Sequence, residues 1–120
     1  MAAPNIVNVS TITAKTHAVG LTTTVTTDIL ANAASSGKVF KINTIIVANV
    51  DGSNTANATV YYNDGTTRFG IVNTVPVAAD TTLVALDKNS VIYLQEGTKI
   101  EGGASAANDL DIIISYEEIS

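Results

Sequence analysis

The chain has no cysteine and no tryptophan. The first absence excludes disulfides, thiol chemistry and cysteine-held zinc. The second removes the usual wall of a sugar-binding cleft. The remaining aromatics, Phe40, Phe69, Tyr61, Tyr62, Tyr93 and Tyr116, are too dispersed to replace it. Charge is scarce as well, at 14% of residues against about 25% in ordinary soluble domains. The basic residues Lys15, Lys38, Lys41, Arg68, Lys88 and Lys99 form no cluster, and the net charge is -5. No nucleic-acid partner is expected from such a balance. The single histidine, His17, has no cysteine near it and no second histidine to work with, and reads as a loop residue. No apolar run approaches the length of a membrane-spanning helix, so no membrane partner is expected. The opening MAAPNIVNVS lacks the basic and apolar segments of a secretion signal, and cytoplasmic synthesis is expected.

What the chain does have is 17 threonines, 16 alanines and 11 asparagines within 120 residues. Threonine favours strands through branching at Cβ, and asparagine favours turns. The length suits a single domain. Few lysines and glutamates leave strand edges weakly protected, which suits a subunit of an assembly.

The clearest strand signal runs from Val39 to Val50. Phe40, Ile42, Thr44, Ile46, Ala48 and Val50 occupy every second position and share one face, predicted to be inward. Ile45 and Val47 then fall on the other face among Lys41, Asn43 and Asn49. Asp51 to Asn54 reads as a turn, and Ala56, Ala58, Val60 and Tyr62 line a second strand. The two strands form either a hairpin or a linked pair across two sheets. Asp64-Gly65 is a tight-turn signal, followed by a return strand over 67–74 that Pro76 ends or marks as an edge.

Upstream, residues 1–13 read as an N-terminal arm or first edge strand, with Ile6, Val7 and Val9 as its apolar residues. Thr16 to Leu30 reads as one β-branched strand region, and 31–37 as a small-residue loop. Downstream, short strands are expected over 81–86, 91–94 and 98–101, then a loop over 102–108. In the closing strand, 109–117, Leu110, Ile112, Ile114 and Tyr116 face inward. Ile113 interrupts its outward face. About seven to nine short strands predict an all-β, single-domain antiparallel β-sandwich, jelly-roll-like, over residues 14–120.

Candidate chemistry is sparse. Asp109 and Asp111, with Asp51, Asp64 or Glu101, contain the oxygen ligands of a hard cation, but in no EF-hand spacing. They read as solvated charges at strand ends, and no metal or cofactor is expected. Gly102-Gly103 lacks a phosphate-binding fingerprint and reads as a bend. No serine has a nucleophile-elbow context, and no enzymatic activity is expected. The apolar residues on outward faces, Ile45, Val47 and Ile113, with Ile6, Val7 and Val9 of the arm, are the candidate subunit contacts.

Four segments carry a resemblance: TTTVTTDIL at 22–30, INTIIVANVDG at 42–52, ANATVYYNDG at 56–65 and LDIIISYEEIS at 110–120. Together with LQEGTKIEGGASAANDLDI they resemble the small accessory structural proteins of tailed bacteriophages. The resemblance implies a non-enzymatic virion component. It favours a head decoration (cement) protein that binds the assembled shell, forms a homo-oligomer, commonly a trimer, and contacts the major capsid protein or other virion proteins. A neck or tail accessory component and a receptor- or glycan-binding module are the alternatives.

Overall fold

The computed structural model describes residues 10–22, 24 and 26–120. The arm residues Ile6, Val7 and Val9 lie outside the described residues. Nine strands follow in chain order: β1 (Ile12–Leu21), β2 (Thr27–Ala31), β3 (Val39–Asn49), β4 (Ala56–Asn63), β5 (Arg68–Val77), β6 (Thr82–Leu86), β7 (Ile92–Leu94), β8 (Lys99–Ala104) and β9 (Leu110–Ile119). One 3-10 turn, Lys88–Ser90, separates β6 from β7.

The strands form two antiparallel sheets, so the chain is an all-β sandwich. Sheet A has the order β1-β9-β3-β6, with β7 also pairing β3; sheet B has the order β2-β8-β4-β5. The pairings are nested from the outside in: β1 with β9, β2 with β8, β3 with β6 and β7, and β4 with β5. β6 and β7 pair successive stretches of β3, so they act as two halves of one broken edge strand. The β3–β4 connection crosses between the sheets, which settles the choice left open by the sequence.

Isoleucine supplies much of the core between the sheets. Ile42, Ile45, Ile100, Ile112 and Ile114 are fully buried, with Leu94, Leu110, Val47 and Val60. Each such side chain contributes about 1.5–3 kcal/mol on burial. Phe40 and Tyr116 meet at the edge of this cluster, their ring centroids 5.2 Å apart and tilted by 45°. The inward rows of β4 (Ala56, Ala58, Val60) and β9 (Leu110, Ile112, Ile114, Tyr116) agree with their alternation in sequence.

β3 departs from simple alternation. Its register against β9 shifts between Ile42 and Thr44, a β-bulge. Asn43 and Thr44 are consecutively half-buried, and the inward face passes from Phe40 and Ile42 to Ile45, Val47 and Asn49. The expected outward placement of Ile45 and Val47 is therefore corrected: both are completely buried in the core. Ile46 and Ala48 turn outward instead, and Val50 is 54% exposed. One extra residue in a strand reverses every side chain beyond it, because the pleat has a period of two.

Three further expectations change. The Thr16–Leu30 region is two strands in different sheets, β1 in sheet A and β2 in sheet B. His17 lies within β1 opposite Ile114, not in a loop. Gly102, Gly103 and Ala104 belong to β8 rather than to the loop that follows. Their small size admits the β2 side of the sheet. A Cβ on Gly103 would lie 3.2 Å from the Cα, N and Oγ1 of Thr26, and one on Gly102 would lie 3.2 Å from Ile29 Cγ1. Pro76 sits inside β5, which is an edge strand, as its missing donor requires.

Buried asparagines close the ends of the sandwich. Asn32 Nδ2 donates to Lys38 O at 2.8 Å and Leu94 O at 2.9 Å, while its Oδ1 accepts from Ser36 Oγ at 2.6 Å. Asn49 Nδ2 donates to Val77 O at 2.8 Å and Asn54 O at 2.9 Å, and its Oδ1 accepts from Asp51 N. Each amide ties loop backbone to the last residue of a strand, Leu94 of β7 or Val77 of β5.

Candidate interaction surfaces

The outer face of sheet A carries few charges at its centre. Register places Ala18, Ile113, Ile46 and Val84 in one row across β1, β9, β3 and β6. Ile113 and Ile46 are half-buried, and Val84 is 58% exposed. The row above it reads Gly20, Asp111, Ala48 and Thr82, and the row below reads Thr16, Ser115 and Thr44. Next to these, Ala14, Glu117, Lys41 and Tyr93 stand in register, with Lys41 Nζ 3.7 Å from Glu117 Oε2. A shallow groove runs between β1 and β9, lined by Ala18, Val19, Gly20, Asp111 and Ile113.

Of the candidate contact residues, Ile113 lies on this outer face as expected. Ile45 and Val47 do not reach any surface. Their place in the row is taken by Ile46 and joined by Val84, which sequence reasoning missed. The available signal was the polar doublet Asn43-Thr44, which interrupts the apolar alternation between Ile42 and Ile45.

Of the candidate acidic residues, Asp51 and Asp109 approach one another. Among the described residues no group of three or more potential metal ligands gathers. Asp51 and Asp64 each serve a turn. Hydrogen bonds from Ser53 N and Asn54 hold the Asp51 carboxyl below the usual aspartate range. Thr67 N and Thr66 N do the same for Asp64.

Glu101 lies apart, buried on the outer side of sheet B opposite Tyr61. Arg68 covers it, with Nε 2.8 Å and Nη2 3.4 Å from its two oxygens, and Asn63 Nδ2 donates to Oε1 at 3.2 Å. The Arg68 guanidinium also sits 5.4 Å from the centre of the Tyr61 ring. This paired carboxylate locks β4, β5 and β8 together.

Glu118 joins three segments at the other end of sheet A. Lys15 Nζ lies 3.2 Å from Oε1 and Lys38 Nζ 3.4 Å from Oε2. Partial burial works against its ionisation, but hydrogen bonds and charge from the two lysines outweigh this and lower its pKa.

The four sheet edges are treated unequally. β2 has five residues and a register shift between Asp28 and Leu30. β5 carries Pro76, a positive φ of 55° at Thr74 and two register shifts against β4. β6 and β7 are short and separated by the 3-10 turn. β1 has ten residues, no proline and an unbroken register against β9 from Ile12↔Ile119 to Leu21↔Leu110.

Comparison with protein-family models and with curated proteins finds no match to this chain.

Proposed function

We propose that this chain is a non-enzymatic virion structural protein, best read as a decoration (cement) protein that docks on an assembled phage head. The observation that carries the reading is the nested pairing of β1 with β9, β2 with β8, β3 with β6 and β7, and β4 with β5. Wrapping a long antiparallel hairpin into two facing sheets leaves this order, and it supports a jelly-roll description of the sandwich. Jelly rolls recur in capsid and lectin domains. Fold alone selects neither use.

The site chemistry tilts the choice toward assembly. The outer face of sheet A offers small and apolar side chains with few charges, as a surface for docking onto protein would. Glu101 and Asp64, the acidic groups best held in place, are occupied by internal bonds. The partners are the major capsid protein or other virion proteins, together with further copies of this chain. A trimer at a capsid three-fold is the arrangement the resemblance favours. The mechanism is linkage: a protein that binds the assembled shell and not its separated parts stabilises the shell.

Electron microscopy of the virus particle that carries this protein, with copy number assigned, tests the reading. Many copies spread over the shell are expected. A few copies at one vertex would reassign it to the neck or tail, and binding to glycans without attachment to the shell would favour the lectin use.

A further inference from the structure

We infer that the open edge of β1 pairs with the same edge of a second copy, antiparallel about a two-fold axis at Thr16. Thr11 and Ser120 exchange both backbone hydrogen bonds, at 3.0 Å each. Antiparallel alternation then turns the N–H and C=O of Ile12, Ala14, Thr16, Ala18 and Gly20 away from β9, toward the open edge of sheet A. Among the described residues no strand lies against that edge. Such an edge is a template for another strand, and proteins usually blunt it with brevity, proline, bulges or charge. The β2, β5 and β6/β7 edges are blunted by brevity, proline or register shifts, whereas of these devices β1 carries only the charge of Lys15.

The sequence of β1 lets it pair with a second β1 along its full length. With Thr16 on the axis, Ala14 pairs Ala18 of the other copy and Ile12 pairs its Gly20, so all five outward-pointing residues find hydrogen-bond partners. Centring on Lys15 or His17 leaves one of the five unpaired, and centring on Ala14 or Ala18 leaves two. The outer-face side chains across the junction are then Ile12, Ala14, Thr16, Ala18 and Gly20, small enough to stand opposite one another. On the other face Lys15 stands opposite His17 of the second copy. The charge of Lys15 is engaged by Glu118 in its own subunit. The contact extends sheet A continuously through both copies and does not depend on the virion role.

Charge-swap variants of the full chain test it. Thr16 is exposed in the single subunit, so Thr16→Lys and Thr16→Glu should fold and, at concentrations where wild type is monomeric, melt like wild type by circular dichroism. By analytical ultracentrifugation wild type is expected as a reversible dimer. Each variant alone should dissociate at a concentration at least about tenfold higher, because like charges stand directly opposite on the axis. An equimolar mixture of the two variants should recover the dimer. A wild-type protein that is monomeric at its highest soluble concentration, or a trimer that both variants leave intact, overturns the two-fold edge. A trimer would still suit a decoration role, whereas a dimer absent from the virion would refute that role and keep the edge contact.

Discussion

Replacing Ile45 or its neighbour Ile46 by alanine measures the β3 bulge directly. Continuous alternation from Phe40 and Ile42 places Ile46 in the core and Ile45 on the surface. The register shift between Ile42 and Thr44 reverses this, and Ile45 is 0% exposed while Ile46 lies on the outer face. Ile45→Ala removes roughly three methylene equivalents at about 0.8 kcal/mol each, or about 2.4 kcal/mol of transfer free energy. Ile42, Val47 and Ile114 hold the surrounding core in place, so incomplete collapse adds a cavity term and brings the loss to about 3–5 kcal/mol. Ile46→Ala removes the same atoms from a half-exposed position and costs about 1 kcal/mol. Urea unfolding followed by circular dichroism, at one protein concentration for all variants, gives the two values. Holding concentration fixed keeps any self-association from entering the comparison. An equal m-value would show that the extent of unfolding has not changed. A larger loss for Ile46→Ala than for Ile45→Ala refutes the bulge and the surface row built on it.

Asn32→Ala strips the backbone carbonyls of Lys38 and Leu94 of their donor, and a loss of about 2–4 kcal/mol in the same unfolding assay is expected. Gly103→Ala drives a methyl group against the Thr26 backbone at 3.2 Å and should cost about 1–3 kcal/mol, whereas Gly70→Ala, whose nearest neighbour is 3.9 Å away, should stay within about 0.5 kcal/mol of wild type. Glu118→Gln removes a carboxylate whose folded pKa lies below its ordinary 4.5. Its contribution is present above that value and is lost as pH falls through the lower folded pKa. Solvent screening at the part-exposed lysines limits the loss at pH 7 to about 0.5–1 kcal/mol. Wild type and variant should therefore converge in acid, and a gap that does not narrow as the pH falls below 4.5 would contradict the ion-pair account.

Local chemistry was enough to predict most strands. Threonine-rich and alternating segments, broken by Asp51-Gly52, Asp64-Gly65 and Gln95-Glu96-Gly97, mark β3 through β9 because turn residues and strand residues differ in backbone preference. The same reasoning identified the inward rows of β4 and β9 and the outward place of Ile113. It did not identify the bulge at Asn43-Thr44, whose extra residue is defined only against the partner strand β9. Nor did it separate β1 from β2, since threonine runs suit either sheet and only the pairings with β9 and β8 assign them. It treated Gly102 and Gly103 as a bend, because glycine in a strand has meaning only when another backbone approaches, as Thr26 does. Composition and spacing thus determined that this chain is a sandwich of short strands with little charge. Tertiary pairing decided which apolar residues the sandwich buries and which strands stand at its edges among the described residues, because a strand acquires its faces and edges only from the neighbours it pairs with.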